Sequence, residues 1–158
     1  MSIILRHDKR GSSLVEVVVA ASVLAVVSLA FLGSFSVISR LHERDMNLIK
    51  AELLAEEGIE AARLIKAGGW TMLSSVAGST TYLSLGVSSW SFTATPEVVD
   101  DTYYRTISVS QVRRDAADDI VSVGGTIDEG TLLVQSSVSW LWRGATSTVS
   151  YQSYIANL

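Results

Sequence analysis

The hydrophobic positions of this chain are concentrated in one long run followed by two different periodic patterns. Residues 17 to 39 contain no charged side chain, a stretch of 23 residues. As a helix it would extend about 35 Å, enough to cross a hydrocarbon core of about 30 Å. Valine-rich sequence also suits strands, but an isolated strand cannot satisfy its backbone in lipid, whereas a helix does so internally. The pattern therefore predicts a membrane-spanning helix over about residues 14–39. Beyond Arg40 the composition becomes charged but keeps helix formers. Leu41, Leu48, Ala51, Ala55, Ile59, Ala62 and Ile65 recur at helical spacing as one apolar stripe, with Glu43, Glu52, Glu56, Glu57 and Glu60 mostly off it. Gly68-Gly69 supplies a stop. The expectation is one helix from about Ser12 to Ala67, roughly 84 Å long, greasy in its first half and amphipathic in its second. Gly33 and Gly58 are soft points in it, each costing about 1 kcal/mol relative to alanine.

After Trp70 the texture changes to Ser, Thr, Val, Gly and aromatic residues, the vocabulary of strands and turns. Candidate strands are Tyr82 to Leu85, Trp90 to Ala94, Tyr103 to Val112, Leu132 to Trp142 and Thr146 to Ile155. In the fourth, Val134, Val138, Trp140 and Trp142 share one face, and Gln135, Ser137, Ser139 and Arg143 the other. In the last, Val149, Tyr151 and Ile155 alternate with Ser150, Gln152 and Tyr154. Period-two patterning of this kind predicts an antiparallel sheet with one packed face, covered by the amphipathic half of the helix. Asp128-Glu129-Gly130 reads as a hairpin turn. The fold class expected is α+β: a long N-terminal helix packed on a small antiparallel sheet.

Composition narrows the chemistry. The chain has 158 residues, no cysteine and two histidines, His7 and His42, far apart. Disulfides, thiolate metal sites and cysteine nucleophiles are excluded, and no serine has a histidine base beside it in sequence. A net charge of −4 gives no basic footprint for nucleic acid. No catalytic chemistry and no cofactor are expected. The cluster Asp115, Asp118 and Asp119 offers the oxygen ligands that calcium prefers, but without an EF-hand spacing, and otherwise reads as a solvated loop. Trp70, Trp90, Trp140 and Trp142 read as core residues by their placement, or else as an aromatic ligand patch.

The informative residue is an acid in apolar surroundings. Glu16 lies between Val15 and Val17, just beyond Arg6, Lys9 and Arg10. A carboxylate there costs several kcal/mol unless it is protonated, reaches the interface or meets a cation. Either it snorkels at the membrane edge or a cation is created nearby. Cleavage after Gly11 creates one, the α-amino group of Ser12. Within one helix that amine points away from Glu16, but between two offset helices the pair can meet, specifying register more than adding stability.

The run Lys9-Arg10-Gly11-Ser12-Ser13-Leu14-Val15-Glu16, followed by the apolar helix, resembles the cleavage and methylation segment of type IV prepilins and type II secretion pseudopilins. The resemblance is strong over residues 6 to 40 and looser beyond. Residues 55–63 (AEEGIEAAR) are also similar to a stretch of minor pilin-like proteins. The resemblance implies a leader of residues 1–11 and a prepilin peptidase cut between Gly11 and Ser12. It further implies N-methylation of Ser12, a docking and register role for Glu16, and a pilin domain over residues 68–158. Ser12 stands where the family usually has phenylalanine, no proline interrupts the membrane segment, and no C-terminal cysteine pair is present. These departures favour a minor pilin or pseudopilin over a major subunit.

The partners so implied are the peptidase, other pilin subunits and inner-membrane lipid, with no nucleic acid. The basic residues at the N-terminus place it in the cytoplasm, with the single-pass chain in the inner membrane before assembly and in a filament afterwards. The rival reading is a single-pass anchor presenting a β domain for binding, neither cut nor polymerised. An ordinary secretory signal fits poorly, because the apolar run is too long and begins with an acid.

Overall fold

A computed structural model describes the backbone of residues 10–157, with side chains from Leu14 onward. Residues 1–9 of the expected leader lie outside the described residues. The chain divides into two units, Met1–Arg44 and Asp45–Leu158. Helix α1 spans Arg10–Ala67, 58 residues, and so begins before Ser12. A single glycine among helix formers costs only about 1 kcal/mol, so Gly11 does not stop it.

In the first unit, every residue from Leu14 to Ile38 is exposed. The most apolar window of α1 has a mean hydropathy of 2.5, and the helix is long and apolar enough to cross a membrane. Its serines are compatible with that solvent. The hydroxyls of Ser22, Ser28 and Ser34 donate to the carbonyls of Val19 (2.8 Å), Leu24 (2.8 Å) and Ala30 (3.0 Å). No hydroxyl among these three is left to seek water.

The second unit contains α1 from Asp45, a short helix α2 (Trp70–Ser74) and seven strands. The strands are β1 (Ser79–Leu85), β2 (Trp90–Thr93), β3 (Glu97–Val99), β4 (Tyr103–Arg114), β5 (Ile120–Val121), β6 (Thr126–Trp142) and β7 (Ala145–Ala156). All pairs are antiparallel, in the order β2-β1-β4-β6-β7, with β3 and β5 also pairing with β4. The α+β expectation holds. Gly69, at φ 149°, follows the end of α1 as the glycine pair requires. Arg143 (φ 51°) and Gly144 (φ 83°) form the two-residue turn that closes the long β6–β7 hairpin, with Trp142 opposite Ala145.

Two expectations are corrected. Asp128-Glu129-Gly130 is not a hairpin turn but lies inside β6, where Gln111 pairs with Leu132 and the next residue, Val112, with Asp128. The residues between form a bulge. Asp128 accepts from the Gly130 amide (2.8 Å) and from Arg114 Nε (2.7 Å), so the local bonding that mimics a turn here fixes an irregularity in a strand. The apolar stripe on α1 also begins later than expected, because Leu41 (53%) and Leu48 (38%) are exposed. At that level Asn47 faces the sheet and accepts a hydrogen bond from the Tyr103 hydroxyl at 2.9 Å. Strands β3 and β5, helix α2 and the first six residues of β6 have no counterpart in the sequence reading.

The helix packs on the sheet through small residues. Ala51, Ala55, Gly58 and Ala62 face it, all buried. Ile59, Ala62 and Ile65 join Leu73, Leu83, Ile107, Val109, Leu132, Val134 and Ile155 in one core cluster. Ala51 and Ala55 join Tyr103, Val138 and Trp140 in another. Contact is tightest at Gly58, where a Cβ would lie 2.2 Å from Ser136 Oγ and 3.0 Å from Ser136 Cβ. The conformational cost of glycine in a helix is thus exchanged for close approach. Ser136 Oγ is itself buried with no hydrogen-bond partner.

Two substitutions test this contact. Gly58→Ala should destabilise the second unit by about 1–3 kcal/mol through overpacking. Ser136→Ala, which removes an unsatisfied buried hydroxyl, should be neutral or raise stability by about 1 kcal/mol. Thermal unfolding of both variants beside the parent measures the two effects. A Gly58→Ala chain as stable as the parent refutes the close-approach account.

Candidate functional site

The residues singled out by sequence fall on the start of α1. Gly11 and Ser12 belong to its helical backbone, and the side chain of Ser12 lies outside the described residues. Glu16 is exposed beside Val15, Val19 and Ala20. It makes no salt bridge among the described residues. From Leu14 to Ile38 the first unit thus presents an apolar cylinder bearing one carboxylate near its start. Such a surface binds lipid tails or other apolar helices, and a charge on it calls for a cation brought by something else.

The second unit contains a charged cluster that the sequence reading missed. Arg105 is 1% exposed, on the inner face of β4 with Tyr103, Ile107 and Val109. Its guanidinium is held in a bidentate fork by Glu97 of β3, with Nε 2.9 Å from Oε2 and Nη2 2.5 Å from Oε1. Nη1 donates to the Glu57 carboxylate (2.9 Å) and to the Leu54 carbonyl (3.0 Å) of α1. The ring of Trp90 lies 5.5 Å from its carbon. Burial opposes the charge, but the hydrogen bonds and charge of Glu97, then of Glu57, outweigh it and raise the pKa above its usual value. Four donated bonds leave little for a substrate, so the cluster acts as a staple joining helix, β3 and β4. The signal available in the sequence was a cation in phase with an apolar alternation.

The remaining candidates stay apart. Asp115 accepts from the amides of Ala117 (2.9 Å) and Asp119 (3.1 Å), so the acidic segment is a loop folded on its own backbone. Among the described residues no group of three or more His, Asp or Glu side chains is placed to hold a metal ion; Asp115, Asp118 and Asp119 are not brought together as ligands. Trp140 packs near Tyr103 with ring centroids 6.2 Å apart, and Trp142 lies against the same cluster. Trp70 and Trp90 pack against the other cluster, so the tryptophans serve the core at two places and form no common patch. Beside the bulge, Arg114, then Thr131 and the Gly130 amide, hold the Asp128 carboxyl down at about 2.

Compared with protein-family models, with curated proteins and with solved structures, the chain matches none.

Two predictions follow from the charged groups. Glu97→Ala leaves a buried guanidinium without its main counter-charge and should cost about 3–5 kcal/mol. Glu57→Ala, at a carboxylate 47% exposed, should cost clearly less. Equal losses in chemical denaturation would show that the fork is not the dominant bond. Asp128 has a folded pKa of about 2, below the ordinary 3.8. Its contribution is therefore complete above the unfolded value and is lost as pH falls through the folded one. The stability gap between the parent and Asp128→Asn should be constant near neutral pH and close as pH drops from about 4 toward 2, as melting curves across that range will reveal.

Proposed function

We propose that this chain is a structural subunit, a minor pilin or pseudopilin, of a type IV pilus or a type II secretion-like filament. The observation that carries the reading is the surface of α1. Residues 14 to 38 are all exposed and carry no charge except Glu16, and the segment follows directly on a basic run ending at Gly11. In this reading a prepilin peptidase cuts between Gly11 and Ser12, and Ser12 becomes the N-methylated end of the mature chain. The cut discards Arg6, Lys9 and Arg10 and the single acid Asp8.

The physical sequence is direct. The apolar helix first crosses the inner membrane with its N-terminus in the cytoplasm, since positive residues are retained on that side. Assembly then exchanges contact with lipid for contact with other helices of the same kind, an exchange driven by packing and by polar pairs rather than by escape from water. The carboxylate of Glu16 meets the α-amino group of Ser12 on a neighbouring subunit. A buried pair of this type adds little net stability, but either group left unpaired costs about 3–5 kcal/mol, so the pair selects one stagger. The sheet unit has no catalytic task and is carried on the outside of the filament.

Replacing Glu16 with glutamine or alanine should leave membrane insertion intact while reducing the chain recovered in sheared filaments by at least about tenfold, a difference of 1.4 kcal/mol. Membrane fractionation and filament preparation from the same cells separate the two steps. Normal incorporation of the variant removes the register role. Mass spectrometry of the isolated protein should find methylated Ser12 at its N-terminus. An uncut chain favours a single-pass anchor instead.

A further inference from the structure

We propose that the outer face of the sheet, with the cleft at its end, binds an extended, uncharged oligosaccharide. This inference concerns the second unit alone and does not rest on the filament reading.

The face opposite α1 is built by the residues that alternate with the core positions. The registers align them in four rows across β4, β6 and β7: Tyr104, Ser139 and Thr148; Thr106, Ser137 and Ser150; Ser108, Gln135 and Gln152; Ser110, Leu133 and Tyr154. None of these twelve positions is charged, although the chain has 28 charged residues. The field extends about 20 Å along the strands and about 10 Å across them. At its centre Ser137 Oγ lies 2.8 Å from Ser150 Oγ and receives the Gln135 amide at 3.2 Å. The last row opens into a cleft of about 450 Å³, with Tyr154, Leu133 and Ile120 as apolar walls and Gln111, Arg113 and Ser122 as polar ones. Tyr154 is 52% exposed there.

The chemistry of this surface selects its ligand. Nucleic acid and anionic lipid are held by several cations at once, and the four rows supply none. A protein partner needs a central apolar or arginine anchor, whereas the centre here is hydroxyl and amide. Side chains that both donate and accept match the hydroxyls of a neutral glycan, which carries no charge to be desolvated. The half-exposed Tyr154 ring offers a flat apolar face for the C–H side of a pyranose at the mouth of the cleft, with amide and guanidinium donors beside it. An extended chain running from the cleft along the rows uses both features together.

The test uses the full chain in lipid nanodiscs, because glycoside detergents would compete. Titration with cellohexaose and with chitohexaose should give saturable binding of at least one. Tyr154→Ala and Ser150→Glu, each melting like the parent, should weaken that binding at least tenfold. Met72→Ala, at an exposed residue of α2, should bind like the parent. Should Ser150→Glu fail to fold, Thr148→Lys in the neighbouring row replaces it with the same expected loss. The proposal is overturned if neither hexaose binds, if the face variants bind as tightly as the parent, or if polygalacturonate or a DNA oligonucleotide binds in preference.

Discussion

The main physical constraint on this protein is apolar surface that no described residue covers. From Leu14 to Ile38 the side chains of α1 are all exposed, and at about 25 cal/mol per Å² such a surface cannot remain in water. The helix already satisfies its own backbone, and the hydroxyls of Ser22, Ser28 and Ser34 turn back to carbonyls one turn earlier. Within this segment Glu16 is the one charged side chain. Lipid and a bundle of like helices are therefore nearly equivalent surroundings, and a modest polar contact can decide between them.

Where α1 belongs to the second unit, the constraint is proximity rather than solvent. Alanines and Gly58 bring its axis close to the sheet, and at Ser136 no room remains for a methyl group. Small residues bury little area each, so the helix gains less from hydrophobic transfer here than a leucine-rich face would. Arg105 supplies what such a face lacks, a directional contact. Its fork to Glu97 and its bonds to Glu57 and the Leu54 carbonyl tie β3, β4 and α1 to one arrangement. A buried ion pair is weak evidence of stability, but its geometry is hard to satisfy in any other register. The Tyr103–Asn47 bond and the Lys50–Asp100 salt bridge extend the same joint toward the start of the unit.

The long helix and the alternating strands were legible because their periods are carried by many residues at once. Trp140 and Val138 fell on the inner face of β6 as the alternation required. Single residues misled. Leu48 looked like core, yet the polar Asn47 faces the sheet, because the Tyr103 hydroxyl on β4 donates to it. Asp128-Glu129-Gly130 had the composition of a turn, but pairing with Arg114 holds it in a strand. Strands of two and three residues, β5 and β3, carry too little period to be seen and exist because β4 offers them a free edge. Arg105 went unread as a site for the same reason: its partners come from 48 and 8 residues away, a distance no local pattern spans.

Arg105 and Glu16 pose the same problem and meet it differently. Each is a charge set in phase with apolar neighbours. Around Arg105 the fold assembles two carboxylates and a carbonyl from two elements, β3 and α1, so the cost of burial is offset within the chain. Around Glu16 there is only one helix, with Val15, Val19 and Ala20 beside it. A helix projects its side chains outward, so no residue of the same turn can enclose a carboxylate. Among the described residues none compensates it, which leaves lipid headgroups, a proton or a cation outside them. Headgroups and protons would serve equally at other depths and need no defined neighbour; a cation fixed at the end of an adjoining helix serves at one offset only. If α1 assembles with like helices as proposed, that difference lets Glu16 choose position, which a plain anchor would not require.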